Sequence, residues 1–276
     1  MSKKSQENQD KKPFWREFLT VAVQSILFVT VVRVLLFDSF FIPTGSLVPT
    51  LRAGDRVFVN KFIYGYSKYS FPFEVFNIKD RILSKHRPKR GEIVVFKLKD
   101  MYYIKRVVGL PGDEILVNGW NICINGNLLK SEFVDNVDPE TGDNDNKFLS
   151  ARFIETNIDG KKYYIYHVAH DVDDYNKQPR IYKNCKDLKN ISSTSVFNIE
   201  DDNYFMMGDN RDVSVDSRFA MIGIVPYRNI VGRAEMTQIS TDGPMTDIFK
   251  FKNVIRWGRS FKFIDFGIDT KSKKED

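Results

Sequence analysis

The run "FLTVAVQSILFVTVVRVLLF", from Phe18 to Phe37, constrains this chain more than any other stretch. Its twenty residues, at a helical rise of about 1.5 Å each, match a bilayer hydrocarbon core of about 30 Å. Gln24 and Arg33 interrupt it. Arg33 lies near the far end, where its long stem can carry the guanidinium to the interface or to bound protein. The run is longer than a signal-peptide core, and no A-x-A-like site follows it. It is therefore read as an uncleaved anchor rather than a leader. Lys3, Lys4, Lys11, Lys12 and Arg16 precede the span, whereas Asp38 follows it and the next basic residue is Arg52. The positive-inside rule places the amino end in the cytoplasm and everything after Phe41 outside.

The 276 residues leave room for one sizeable domain or two modest ones beyond the anchor. The net charge of +6 is spread among interspersed acids. No zinc-finger spacing, helix-turn-helix pattern or RNA-binding signature accompanies it, so no nucleic-acid partner is expected. Cys123 and Cys185 show no CxxC spacing, and the sequence leaves two readings of them open: a pair formed in an oxidising compartment, or two core thiols. Short runs such as "GEIVVFKLK", "MYYIKRVVG" and "KKYYIYHV" alternate apolar residues between Gly, Pro and Asp. They predict a mainly β domain.

Just outside the span, "FIPTGSLVPTL" holds Ser46 between Gly45 and two prolines. Pro43 and Pro49 fix φ and restrict the residues before them, which predicts an extended, stiffened segment around Ser46. A serine hydroxyl needs a base to act as a nucleophile. His86 lies in a basic loop, and His167 and His170 form "HVAH" without the Glu of a zinc-protease motif. These histidines are read as structural or solvated, and no metal is expected. The other candidate is Lys105 in "MYYIKRVVGLPGD". Strand alternation puts Tyr103, Lys105 and Val107 on one face, with Ile104 and Arg106 on the other. Desolvation on a buried face lowers a lysine pKa from about 10.4 by several units and leaves a neutral amine able to take a proton. A third stretch, "YFMMGDNRDVSVDSRF", packs Gly, Asp, Asn, Arg and Ser into a turn-rich loop after an apolar strand. That density of hydrogen-bonding groups suits a held catalytic loop.

Together "IPTGSLVPTL", "GEIVVFK", "YYIKRVVGLPGD" and "GDNRDVSVDSR" resemble, in order, the motifs of the bacterial type I signal peptidases. These are membrane-anchored Ser/Lys endopeptidases that remove signal peptides from exported preproteins. The "NKFIYGYSKYSFPF" loop further resembles the alphaproteobacterial branch. The resemblance implies Ser46 as nucleophile and Lys105 as general base. It implies Thr44, with the Ser46 N–H, as oxyanion donors, and Ser214 as the residue orienting the lysine amine. Asp216 and Arg218 match a supporting ion pair, whereas Asp209 and Arg211 are expected to shape the loop. Ile42, Pro43, Leu47, Leu51, Tyr103, Ile104 and Met206 match positions lining shallow pockets that admit only small residues. Leu47 stands where methionine is usual, Thr44 where serine is common, and Glu92 where aspartate is frequent.

The expected organisation is a basic cytoplasmic tail (1–17), an anchor (18–37), a catalytic β domain (38–113 and 204–244), a β-rich insertion (114–203) and a basic aromatic tail (245–276). That last tail is a candidate for interfacial membrane contact. The implied setting is the bacterial inner membrane, single-pass, with the catalytic domain periplasmic. The implied partners are signal peptides and membrane lipid, with the secretion translocon a further candidate, and no cofactor is expected. Two other classes fit parts of the pattern. An anchored, inactive envelope binding protein would be marked by loss of a dyad residue. A self-cleaving Ser/Lys repressor would carry a DNA-binding domain where this chain has its span.

Overall fold

The computed structural model describes residues 14–71, 78–137, 149–169, 184–242 and 255–267. The parts of the basic N-terminal tail, the insertion, the aromatic loop and the C-terminal tail that fall between these ranges lie outside the described residues. Helix α1 (Phe14–Leu35) comes first, with Phe18, Ile26, Leu27 and Phe28 each more than half exposed. Among the described residues nothing covers this apolar helix, which suits it to lipid, and Phe14–Arg33 is long and apolar enough to cross a membrane. The helix starts ahead of the predicted Phe18, where the rings of Phe14, Trp15 and Phe18 pack together. It also stops before the predicted Phe37. That residue is claimed by strand β1 (Phe37–Phe41), which pairs antiparallel with β2 (Asp55–Asn60) from Phe37↔Asn60 onward.

Strands β3 (Ile93–Leu98) and β4 (Met101–Gly109) form a hairpin. The chain then makes an excursion through β5 (Glu114–Asn118), β6 (Asn121–Ile124), β7 (Asn127–Leu128), β8 (Lys130–Val137), β9 (Leu149–Thr156), β10 (Lys162–Ala169), helix α2 (Cys185–Lys189) and β11 (Ser195–Asn198). It returns as β12 (Asn203–Met207), β13 (Val225–Pro226), β14 (Ile230–Ser240) and β15 (Lys262–Phe263). Among the described residues the main sheet runs β1-β2-β14-β3-β4-β12-β13, with β15 paired to β14. The excursion builds two smaller sheets, β11-β5-β6-β7 and β10-β9-β8. The mainly β class expected from the alternating runs is the class observed.

β3 explains how this sheet holds a core on each side. Ile93 and Val95 join Ile42, Leu47, Leu51, Val57 and Val59 in one apolar cluster, while Val94 and Phe96 join Val107, Tyr204 and Met206 in another. A strand covered on both faces needs apolar side chains at every position, which is why "IVVF" is unbroken. Each such burial contributes about 1.5–3 kcal/mol. β14 serves β2 on one edge and β3 on the other through register shifts after Ile230, Ala234 and Thr237. At Gly232 a Cβ would stand 2.4 Å from the Asn60 carbonyl oxygen, so glycine is what lets the backbones approach.

In the excursion Cys123 on β6 and Cys185 on α2 form a disulfide, packed with Leu116 and Leu188. Of the two open readings, the structure takes the pair. In the C-terminal segment Ile255 and Ile264 are buried, whereas Trp257, Phe261 and Phe263 are 61%, 64% and 80% exposed.

Candidate active site

Ser46 lies in a tight turn following β1, not in the extended segment expected from its prolines. The Val48 N–H donates to the Gly45 carbonyl at 3.1 Å, and the Leu51 N–H to the Leu47 carbonyl at 2.9 Å. Burial decides this outcome. Leu47 and Leu51 are both 0% exposed, and the turn is what delivers both side chains to the same cluster. Ser46 itself is only 8% exposed.

Lys105 projects from β4 opposite Val94, on the face shared with Val107 and Met206 that the alternation predicted. Its Nζ lies 2.6 Å from the Ser46 Oγ. Burial lowers the Lys105 pKa from 10.5 to about 8, against the carboxylates of Asp216 and Asp209, which favour the charged form. An ordinary surface lysine would be almost wholly protonated at neutral pH; this one is poised to exchange a proton.

The loop after β12 encloses the pair. The Asp216 carboxylate is fully buried, accepts from the Gly208 N–H at 3.0 Å and is bound by Arg218 through two contacts of 2.8 Å. Gly208 permits a close approach. A Cβ there would fall 2.4 Å from the Ser46 carbonyl oxygen and 2.3 Å from the Ser214 Oγ. Ser214 is 2% exposed and its hydroxyl has no hydrogen-bond partner among the described residues. Thr44 is exposed on the rim, its hydroxyl unengaged by any described residue. Among the proposed pocket residues, Ile42, Leu47, Leu51 and Met206 are buried in the two cores, Tyr103 and Ile104 are half-buried, and Pro43 is exposed. Glu92 accepts from the Tyr64 hydroxyl at 2.6 Å and pairs with Arg233.

Asp209 and Arg211 were expected to shape the loop, but their partners, and the parts played by Arg106, Thr50, Asn210, Glu155 and Tyr163, were not identified from the sequence. Arg106, next to Lys105, forms a two-pronged pair with Asp209 at 2.7 Å for each contact, and both side chains are 1% exposed. The Thr50 hydroxyl joins the same carboxylate at 2.6 Å. Asn210 grips the Ser46 turn, its N–H donating to the Ser46 carbonyl at 3.1 Å and its Nδ2 to the Gly45 carbonyl at 3.3 Å. Arg211 reaches across to the excursion, where Glu155 of β9 takes its guanidinium in two contacts of 2.5 Å. Burial opposes the Arg211 charge, but the adjacent carboxylate outweighs it and raises the pKa. The Tyr163 hydroxyl donates to Glu155 at 2.8 Å, and its ring lies under the Arg106 guanidinium. Backbone bonds tie β10 to the loop: Tyr166 N–H to the Asp209 carbonyl at 2.8 Å, and Arg211 N–H to the Tyr166 carbonyl at 2.9 Å. His167 is buried, stacked on Trp120 and 3.1 Å from Asp212, so it belongs to this structural seam. His86 is exposed, and His170 lies outside the described residues. A contact between positions 155 and 211 leaves no local trace in the sequence. The signals that were present, Arg106 beside Lys105 and a loop rich in charge, do not name their partners.

Two outcomes are expected from this geometry. Nitrogen NMR of the lysine-labelled protein should show the Lys105 amine titrating with a midpoint of about 8, and Asp216→Asn should lower it further because that carboxylate favours the ammonium. A midpoint at the ordinary 10.5 would mean that the amine is solvated. Glu155→Gln should leave the Arg211 charge buried and uncompensated, at a cost of about 3 kcal/mol in denaturant unfolding. An unchanged midpoint and slope would show the pair to be dispensable.

With the geometry in view, known proteins bear on it. A model of the family described as signal peptidase, peptidase S26, matches residues 15–239. Signal peptidase I of Rickettsia bellii (strain OSU 85-389) is 33% identical over 272 residues, covering 94% of this chain and 86% of the relative. Signal peptidase I of Rickettsia conorii is 36% identical over 243 residues, covering 86% and 83%. A solved signal peptidase I from Enterococcus faecalis is 19% identical, with a TM-score of 0.28, over 54% of this chain and 98% of its own. The family match runs from the apolar helix through Ser46, Lys105 and the enclosing loop, and on that extent the chain belongs to the signal peptidase family, peptidase S26.

Proposed function

We propose that this signal-peptidase-family hydrolase cuts exported preproteins with Ser46 as nucleophile and Lys105 as its base, while α1 anchors it in the bacterial inner membrane. The observation that carries this reading is the 2.6 Å separation of two buried groups, a hydroxyl and an amine short of full charge. The neutral Lys105 amine takes the Ser46 proton as Oγ bonds to the scissile carbonyl carbon. The carbonyl electron pair moves onto oxygen, where the Thr44 hydroxyl and the Ser46 N–H are the assigned donors. When the tetrahedral centre collapses, the Lys105 ammonium protonates the departing amine and an ester to Ser46 remains. Water then attacks that ester, giving its proton to Lys105, and the second collapse returns the proton to Ser46.

The half-buried Ile104 and the exposed Pro43 offer a surface to an extended substrate, over a floor shaped by Ile42 and Leu47, while Tyr103 and Met206 pack on the Lys105 side. A floor so densely packed excludes large side chains, which favours cutting after small residues. An inactive binding protein would have no use for a desolvated lysine, whose burial carries a stability cost without catalysis. Exposed Phe41, Trp257, Phe261 and Phe263 suit contact with lipid at the interface. An external location suits the disulfide, since thiols in the cytosol are kept reduced.

Purified full-length protein in lipid should process a preprotein, and Ser46→Ala and Lys105→Ala should each abolish processing without unfolding. Thr44→Ala should lower kcat about a hundred- to a thousandfold with little change in KM, while Thr44→Ser keeps most activity. Because the amine must be neutral to accept a proton, kcat/KM should fall about tenfold per unit of pH below about 8 and level off above it. Processing by Ser46→Ala at the wild-type rate would remove the serine mechanism. For orientation, Cys123 and Cys185 in intact cells should resist alkylation until a reductant is added. Both thiols reacting at once would contradict an external domain.

A further inference from the structure

The end of α1 is not a loose tether. The Tyr66 hydroxyl donates to the Leu35 carbonyl at 2.6 Å, and the Lys61 N–H donates to the Leu36 carbonyl at 2.9 Å. The Lys61 ammonium lies 3.6 Å from Asp38. Carbonyls in the last turn of a helix have no partner within the helix, and at an apolar boundary water is scarce. The β domain therefore completes the membrane helix. Its two capping residues are themselves fixed, with Tyr66 6% and Lys61 1% exposed. Tyr66 exchanges both backbone hydrogen bonds with Ile82 and stacks on Phe71, and the Lys61 Nζ donates to the Ser70 carbonyl at 3.0 Å. Only Leu36 stands between α1 and β1. From there β1 pairs with β2 along its whole length, Ile42 bonds to Asp55 and Gly54, and the Ser46 turn follows directly. No flexible linker separates the span from the nucleophile.

We propose that this junction is a specificity element: Tyr66 and Lys61 couple the membrane helix to the β domain, and so fix how far beyond a preprotein's own apolar segment Ser46 attacks. The inference rests on the peptidase reading above. A substrate whose apolar segment sits in the same bilayer presents an extended chain advancing about 3.3 Å per residue. A domain free to rise or tilt by a few such steps would meet several peptide bonds in turn. A domain clamped to its span meets few, and the small-residue requirement then chooses among those.

The test uses the full chain in lipid vesicles. One substrate is a preprotein whose apolar segment is followed by a ladder of equivalent Ala-x-Ala sites, and the new amino ends are read by mass spectrometry. A short soluble peptide with one such site is the second substrate. Wild type should cut mainly one rung. Tyr66→Phe should lower the ratio of that rung to its neighbours roughly three- to tenfold, the effect of one lost hydrogen bond. A Gly-Ser insertion between Leu36 and Phe37 should spread the cuts over two or more neighbouring rungs. Both variants should cut the short peptide at the wild-type rate. The same single rung from both variants would overturn this inference and leave the peptidase reading standing. Loss of short-peptide cleavage by both would show that the junction serves folding rather than register, and would overturn it too. Failure of wild type on either substrate would remove the peptidase reading, and this inference with it.

Discussion

Everything at this site depends on keeping one amine out of water without letting neighbouring charge undo the effect. Burial drives the Lys105 pKa down to about 8, yet two carboxylates lie close enough to push it back. At an effective dielectric of about 20, one unpaired carboxylate about 6 Å away favours the ammonium by about 3 kcal/mol, or roughly two pKa units. That would cancel most of the shift. The arginines temper this, because Arg218 pairs with Asp216 and Arg106 with Asp209, and the Arg218 charge itself disfavours the ammonium. The carboxylates stay as hydrogen-bond acceptors that shape the loop, and burial outweighs their remaining pull on the lysine.

The same loop shows that the excursion is part of the site. Asp209, Asn210 and Arg211 face, respectively, strand β4, the Ser46 turn and the β10-β9-β8 sheet. A disturbance in any of these reaches the other two through three consecutive residues. Buried pairs such as Glu155 with Arg211 contribute little net stability, because desolvation offsets their attraction, but removing one partner is costly. Their use here is to define one arrangement of the loop.

The sequence was most readable where chemistry is local. The alternation that turns Lys105 inward, the apolar span and the β class all followed from short patterns, and the motifs carrying Ser46 and Lys105, which the fold brings together, marked the family in order. The turn at Ser46 was misread because prolines speak only for the backbone beside them, whereas the conformation is settled by burial of Leu47 and Leu51. The ends of α1 were misplaced for a similar reason. Hydropathy measures what a residue prefers to avoid, and Phe37 avoids water equally well in a strand paired with β2. Glu155 and Tyr163 were out of reach because their partners lie across an excursion whose fold no short window encodes, and His167, read as structural or solvated, is structural through partners equally hidden from it.

The order of the strands along the chain carries a consequence for the timing of synthesis. Ser46 and Lys105 emerge from the ribosome early, but β12, which packs beside β4, and the loop bearing Asp216 and Arg218 follow only after the whole excursion. Until they arrive, β4 lacks its β12 partner and the Asp216–Arg218 pair is not yet in place, so the surroundings that lower the Lys105 pKa in the folded chain are incomplete. The nascent chain therefore carries Ser46 and Lys105 long before it carries the environment that desolvates the amine.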